Sequence, residues 1–146
     1  MEKNLNYTGM ALDRCAEQRR ENIWIERYLS RKDTAIVPIW RNLNLVRFDK
    51  FGNPTPECVF PTGEQAQGLI SKANIIVFLG LYQEIAYFAL DISAMDDYAI
   101  NIEFGPNQFE ELRRIGALIP KNYGALMAYA RGMIHWYQRH IFCGVC

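Results

Sequence analysis

The sequence predicts a single domain of the α/β (α+β) class, with a mixed sheet of four or more strands and flanking helices. The chain has 146 residues, of which 50% are hydrophobic and 13% aromatic. This length and composition are typical of one globular domain with its own core. Short β-branched segments occupy the first two thirds, and an amphipathic helical pattern occupies the last third.

The first part of the chain predicts a helix followed by two strands. Residues 13–29 are rich in Arg and Glu around an apolar stripe, which indicates a helix. Residues 34–40 are β-branched and indicate a strand. Pro38 lacks an N–H, so we expect this strand to lie at a sheet edge or to end nearby. The alternation of residues 42–48 predicts a second strand.

A turn and a short helix are expected next. Residues 49–56 contain Asp, Gly, Asn and two prolines, which favour a turn. Thr62 is a suitable N-cap, and Gln65 three residues later completes a capping-box pattern. The helix is expected to end near Ile70.

Two apolar segments then predict a β-hairpin. Residues 74–82 and 85–92 are almost continuously hydrophobic, which is typical of strands buried on both faces. The intervening pair 83–84 fits a tight turn. Asp91, at the end of the second strand, is interpreted as a turn or capping residue.

The last third is expected to be helical. Residues 108–118 predict a short amphipathic helix, and residues 123–140 predict a longer one. The longer helix has apolar residues at helical spacing, namely Leu126, Met127, Ala130, Met133, Ile134 and Tyr137.

Cys143 and Cys146 form a Cys-x-x-Cys knuckle at the end of the sequence. Structural zinc takes four ligands, usually from two such pairs, so we interpret the knuckle as the first half of a zinc ribbon. We therefore expect the chain to be the front part of a longer protein. A redox pair and inert thiols are the alternatives. His140 is either a third ligand or a residue that packs or hydrogen-bonds at the helix end.

Sixteen basic and sixteen acidic residues give the chain zero net charge. This balance counts against a dedicated nucleic-acid binder, which usually has a basic excess. Residues 1–6 are polar and no apolar h-region follows them, so we do not expect export. The longest apolar run, residues 75–82, is too short to span a bilayer. We expect a cytoplasmic protein without a membrane partner.

Several short motifs, in order, carry a resemblance to a known family. The motifs include VPIWR (37–41), FLG (78–80), YFALD (87–91), LRRIGALIP (112–120), AYARG (128–132) and the segment 136–146. With these motifs, over about residues 10–146, the chain resembles the NADH pyrophosphatase (NAD(H) and NAD-capped RNA diphosphatase) branch of the Nudix hydrolases.

The resemblance implies an N-terminal Nudix-like domain (1–121), a stem helix packed on it (122–141) and the start of a zinc ribbon (142–146). Such proteins continue into a catalytic Nudix domain that uses Mg²⁺ or Mn²⁺. They cleave the diphosphate of NADH or NAD⁺ to nicotinamide mononucleotide and AMP. Some remove an NAD cap from RNA, and they usually work as homodimers.

No catalytic residue is expected in this chain. Diphosphate hydrolysis needs divalent metal held by clustered carboxylates. The Nudix signature, Arg-Glu-x-x-x-Glu-Glu on a helix, is absent from the sequence. Glu110 and Glu111 are the only adjacent glutamates, and we interpret them as part of a solvated helix face.

Arg113 is the candidate substrate-binding residue. By the resemblance, an Arg at this motif position helps to bind substrate, and a guanidinium can hold a phosphate through two hydrogen bonds. The alternative is a surface Arg paired with Glu110 on one helix face. Arg41 is a weaker candidate of the same kind.

The sequence thus favours a structural, dimerisation and substrate-support domain of a NAD(H) diphosphatase. A stand-alone zinc-knuckle module that binds a protein or nucleic acid is the second hypothesis. A small redox protein using Cys143 and Cys146 is the third, and the terminal position of the pair disfavours it.

Overall fold

The computed structural model describes residues 22–48 and 55–143. Three regions of the sequence analysis lie outside them: part of the first predicted helix, most of the 49–56 turn, and Cys146. The elements in chain order are α1 (Asn22–Leu29), β1 (Ala35–Trp40), β2 (Leu43–Arg47), β3 (Glu57–Cys58), α2 (Gly63–Lys72), β4 (Ile75–Tyr82), β5 (Ile85–Asp91), α3 (Asp97–Phe104), β6 (Gln108–Glu110), α4 (Leu112–Ile115), a 3₁₀ turn (Gly116–Leu118) and α5 (Lys121–Cys143).

Within the described ranges, the sheet has six strands of mixed direction. The main path runs β3-β2-β1-β5-β4, and β6 pairs with β2. Strands β1 and β5 are parallel, whereas the other pairings are antiparallel. Helices cover the sheet, so the predicted fold class is confirmed.

Pro38 lies in an inner strand, so the sheet-edge alternative is wrong, whereas the strand does end two residues later, at Trp40. Strand β1 has β5 on one side, where Pro38 is opposite Leu90. On the other side the pairing with β2 is confined to Ile39 and Trp40. Pro38 cannot donate to the ladder, and β2 no longer pairs with β1 at that point. The Ile36 N–H instead donates to the Pro61 carbonyl at 2.9 Å.

The predicted hairpin of β4 and β5 is present, and β1 and β2 form a second hairpin. Their turn residues, Arg41 and Asn42 in one and Gln83 and Glu84 in the other, all have positive φ. Two-residue turns of this kind match the twist of the strands they join. Strand β5 is buried almost throughout, as predicted. Strand β4 lies at the end of the sheet path, and its Ile76 is exposed.

Each face of the sheet has its own core. Helices α4 and α5 cover one face, and α1, α2 and α3 pack against the other. Buried residues on the α4/α5 side include Leu126, Met127, Ala130 and Ile134, which confirms most of the predicted apolar stripe of the long helix. Buried residues on the other side include Leu69, Phe88, Leu90, Ile100 and Phe104.

The predicted helix over 108–118 is wrong in its first part. Gln108–Glu110 forms strand β6, which pairs with residues 44–46 of β2. Helix α4 follows and is only one turn long. The partner strand decides the structure here, because strand pairing overrides a weak local helical pattern.

Helix α3 was not predicted from the sequence. Its hydrophobic pattern is short, and the clearest signals are its ends. The Asp96 carboxylate accepts a hydrogen bond from the Ala99 N–H at 2.8 Å, and Gly105 follows the last turn with φ of 57°. These are an N-cap and a C-terminal glycine.

The capping-box prediction for helix α2 is wrong. Thr62 occupies the N-cap position, but its side chain makes no capping hydrogen bond, and the helix continues to Lys72. The Gln65 amide instead donates to the carbonyl and carboxylate oxygens of Glu103, each at 3.2 Å. Gln65 therefore joins α2 to α3.

Among the described residues, no helix is both long and apolar enough to cross a membrane.

Candidate functional site: the basic face of helices α4 and α5

Arg113 lies on helix α4 with its side chain exposed. The neighbouring Leu112 and Ile115 are buried and hold this short helix against the core. Glu110 belongs to strand β6, so the alternative interpretation, in which Arg113 pairs with Glu110 on one helix face, is wrong. Within 22–48 and 55–143, Arg113 has no ion-pair partner.

Four further cations lie on the same two helices. Arg114 is beside Arg113 on α4, and Lys121, Arg131 and Arg139 are on α5, all with exposed side chains. Lys121 and Arg139 are separated by about five helical turns and therefore lie on one side of α5. None of the four has an ion-pair partner in the described part of the chain. We call these five residues the basic face.

The zero net charge of the chain conceals a strong separation of charge. Residues 73–112 contain seven acidic residues and no Lys or Arg. Residues 113–146 contain the five cations of the basic face and no Asp or Glu. Counting charge over the whole chain missed this asymmetry, and counting it by region would have found it.

Several cations on the other side of the molecule are neutralised within the chain, although Arg27 and Lys32 have no ion-pair partner among the described residues. Arg41 pairs with Asp97 at 3.0 Å, and Lys72 pairs with Glu103 at 3.6 Å. The Arg41 guanidinium also stacks on the Trp40 ring, 4.3 Å from its centroid. Arg41 is thus already engaged and is a poorer candidate for substrate contact than Arg113.

A third such pair joins Arg31 and Asp33. Two hydrogen bonds at 3.0 and 2.9 Å connect the guanidinium to the carboxylate. These bonds from Arg31 lower the pKa of the Asp33 carboxyl below its ordinary value. Exposed pairs of this type contribute little to stability, but they satisfy the charge locally.

The adjacent glutamates do not form a helix face, which corrects the interpretation from sequence. Glu110 ends strand β6, and Glu111 occupies the N-cap position of α4 without a capping hydrogen bond. Over the described ranges, no group of three or more His, Cys, Asp or Glu side chains is placed to hold a metal ion.

Comparison with known families decides the identity of the fold. The NUDIX-like family, described as the NADH pyrophosphatase-like rudimentary NUDIX domain, matches residues 33–136. The chain belongs to this family. The match includes all six strands and most of α5, and it confirms the resemblance drawn from the short motifs. No curated protein sequence matches the chain.

The zinc knuckle of this rudimentary Nudix domain stays a prediction. Cys143 is the last residue of α5, and Cys146 lies outside the described residues. His140 Nδ1 lies 2.8 Å from the Trp136 carbonyl oxygen. The His140 and Trp136 rings are stacked, with their centroids 3.7 Å apart. This contact is the helix-end interaction that was the alternative to zinc ligation.

Asp91 is a turn residue, as predicted, and it also links α5 to the sheet through a hydrogen bond. Its carboxylate is buried and accepts hydrogen bonds from the Ser93 N–H at 3.0 Å and from the Gln138 amide at 3.1 Å. The second bond ties the C-terminal part of α5 to the end of β5. The basic face therefore lies on a helix held at a fixed position on the sheet.

Cys58 of the rudimentary Nudix domain is not a reactive thiol. It is partly buried, and its Sγ lies 3.8 Å from the Met127 Sδ. Burial raises the pKa of the thiol to about 11. The thiol is protonated at neutral pH, whereas nucleophilic or redox chemistry requires the thiolate.

Proposed function

We propose that this rudimentary Nudix domain supports substrate binding in a hydrolase that cleaves the diphosphate of NADH or NAD⁺ to nicotinamide mononucleotide and AMP. The observation that carries the proposal is the basic face. Its five exposed cations have no ion-pair partner in the described parts of the chain, although the chain as a whole has as many acidic as basic residues.

A dinucleotide diphosphate fits the charge and chemistry of this face. Its two phosphates carry negative charge and present oxygens that accept hydrogen bonds. An exposed guanidinium such as that of Arg113 can donate two parallel hydrogen bonds to such a group. Arg114 and Lys121, next along the chain, add to the positive potential that attracts the anion.

The chemistry of hydrolysis belongs to a different part of the proposed enzyme. The sequence of this domain lacks the Nudix box, so the carboxylates that hold Mg²⁺ or Mn²⁺ would come from a catalytic Nudix domain. Cys143 and Cys146 would supply two of the four ligands of a structural Zn²⁺. Metal held by only these two ligands would be bound weakly.

Homodimer formation is part of the same proposal. Trp136 and Tyr137 are adjacent on α5 and partly exposed, with their rings 4.9 Å apart in an edge-to-face contact. Exposed neighbouring aromatic side chains are common where proteins associate. An NAD-capped RNA is a further substrate compatible with the basic face, because it carries the same diphosphate.

The separation of roles can be tested with the chain itself. Residues 1–146 are incubated with NADH and Mn²⁺, and AMP is measured by chromatography against a sample without protein. We expect no release of AMP above that control. Catalytic release of AMP would show that the domain has metal-binding carboxylates of its own, and the proposed division of roles would be wrong.

The basic face also favours the second hypothesis, a nucleic-acid-binding module. Neutralising up to five phosphates of a single strand would give a plot of log affinity against log salt with a slope of about −3.5. Fluorescence anisotropy with a labelled single-stranded RNA measures that slope. A slope near zero would leave the diphosphatase proposal as the better account.

A further inference from the structure

We propose that the outer edge of strand β4 pairs with the same strand of a second copy of this chain. Among the described residues, β4 ends the path of the sheet and pairs only with β5. An edge of this kind can add a further strand through backbone hydrogen bonds. The proposal rests on the homodimer included in the proposed function, to which it gives a surface, and does not rest on hydrolysis of NADH.

An apolar cavity of about 460 Å³ lies across this edge. Ile76 and Val77 both line it, and consecutive residues of a strand point to opposite faces, so the cavity reaches both faces of the sheet. Ile25 of α1 contributes to the wall on one face, and Met133 and Tyr137 of α5 contribute on the other. The described lining is thus apolar and aromatic, which suits another apolar strand better than a charged ligand.

Packing within the chain holds the walls of the cavity in place. The rings of Trp24 on α1 and Phe78 on β4 are in edge-to-face contact with their centroids 5.4 Å apart, and the Phe78 centroid is 5.2 Å from that of Phe88. On the other face, the Tyr137 ring packs edge-to-face with Trp136 at 4.9 Å. A groove that is already formed costs less conformational entropy to fill.

Strand β4 lacks the features that usually prevent an edge strand from pairing. Edge strands are commonly short, or carry charged residues or proline. At the other end of the sheet path, β3 has only two residues and includes Glu57. Strand β4 has eight residues, and residues 73–83 contain no charged side chain and no proline. Its register shift relative to β5 comes after Ile76 and Val77, so the strand is regular at the cavity.

The absence of charge in residues 73–83 favours a second copy as the partner. In a two-fold symmetric dimer the same surface patch meets itself, so a patch with charge of one sign would repel its own copy. The basic face cannot associate in this way, whereas the β4 edge can. Ile76 is 39% exposed, and pairing of two β4 edges would cover it in both copies.

The charges that flank β4 agree with this arrangement. Lys72 precedes the uncharged segment and Glu84 follows it. Copies of β4 related by a two-fold axis perpendicular to the sheet run antiparallel, so the Lys72 end of one strand lies near the Glu84 end of the other. Lys72 also lies 3.6 Å from Glu103, but its side chain is half-exposed and an ammonium has three donors. It can therefore approach a second carboxylate.

Sedimentation velocity of the 146-residue chain over a range of protein concentrations tests the proposal. We expect a monomer–dimer equilibrium. Ile76→Lys places a charge on the outer edge and should raise the dissociation constant of the dimer at least about tenfold. Ile102→Lys is the matched control, at a more exposed Ile on α3, and should leave the dissociation constant unchanged. Thermal melts of both variants check the fold.

Hydrogen exchange of the unmodified chain gives a second measurement that needs no variant. Amide N–H groups of β4 that face the outer edge should become more protected as the protein concentration rises, because they gain a hydrogen-bond partner in the dimer. Amides of β5 serve as the control, since this strand already has a neighbour on each side. Their protection should not follow the concentration.

Each outcome decides for or against the β4 surface. A chain that stays monomeric at every concentration would overturn both this proposal and the homodimer of the proposed function. A dimer that persists in Ile76→Lys, or that is lost equally in Ile102→Lys, would overturn the β4 surface alone. Protection of β4 at every concentration without a dimer would mean that the chain itself covers the edge. Release of AMP from NADH is measured separately and is not decided by these results.

Discussion

The two faces of the sheet differ in how many of their Lys and Arg side chains pair with carboxylates. On the α4/α5 side, Arg113, Arg131 and the other cations of the basic face are exposed and have no ion-pair partner among the described residues. On the other side, Arg41 and Lys72 pair with carboxylates of α3. Arg27 and Lys32 on that side are exposed and have no such partner within the described ranges. The difference is therefore that carboxylates neutralise part of the charge on that side, whereas residues 113–146 contain no Asp or Glu.

The cores beneath the two faces do not differ in the same way. Leu126 and Ile134 of α5 are fully buried, and so are Leu69 and Phe88 on the opposite side. Both faces therefore contribute apolar burial to folding. The contrast lies in the surface charge, and it supports the proposed phosphate-binding role of α4 and α5.

The largest expected effect is on stability and should be similar on both faces. Leu126→Ala and Leu69→Ala each delete a buried side chain and leave a cavity. Each should lower the free energy of unfolding by about 2–5 kcal/mol. Urea denaturation followed by circular dichroism measures both. A loss below about 1 kcal/mol for Leu126→Ala alone would mean that α5 is not an integral part of the core.

A smaller effect is expected on catalysis, where removing a cation of the basic face should lower activity more than removing a cation on the other side. In an enzyme that joins this domain to a catalytic Nudix domain, Arg113→Ala should remove a charge-assisted contact worth about 1.5–3 kcal/mol. This corresponds to a fall of roughly 10- to 150-fold in kcat/KM for NADH. Arg113→Lys should restore activity only in part, because Lys lacks the planar fork.

Arg31→Ala is the matched control for that experiment. Arg31 is exposed, like Arg113, but it is neutralised by Asp33. We expect its kcat/KM to remain within about twofold of the unmodified enzyme. Equal losses for Arg31→Ala and Arg113→Ala, or unchanged activity for Arg113→Ala, would return Arg113 to an ordinary surface role.

The smallest predicted effect compares two glycines. Gly132 lies within α5, and a Cβ added there would meet no other atom within 4 Å. Gly132→Ala should therefore raise the free energy of unfolding by about 1 kcal/mol. Gly105 also has open space, but its φ is 57°, so Gly105→Ala should lower stability by about 1 kcal/mol. Thermal melts distinguish the signs. Equal signs would contradict the backbone conformation assigned to Gly105.

Local patterns predicted the elements that depend on neighbouring residues. The hairpin turn at Gln83 and Glu84 and the long helix α5 were read correctly, because strand and helix periodicity is a local property. Strand β6 and the inner position of Pro38 were not predicted, because both depend on pairing with strands that are distant in sequence. Helix α3 was missed, since only its caps distinguish it.

The candidate site was predicted in part for the same reason. The LRRIGALIP motif identified Arg113, but the resemblance does not show which charged residues surround it. The predicted pairing with Glu110 failed because that residue belongs to β6. The four accompanying cations come from two helices, and their lack of partners is visible only once the acidic residues are placed elsewhere in the fold.

The most direct test of the account is an NMR titration of residues 1–146 with inorganic pyrophosphate. The account predicts saturable amide shifts at Arg113 and Arg114 and along the exposed side of α5. It predicts no comparable shifts at Arg41 or Lys72, whose charges are already paired. Equal shifts on both faces, or shifts confined to the α1–α3 side, would contradict the claim that the cations of α4 and α5 form the anion-binding surface of this domain.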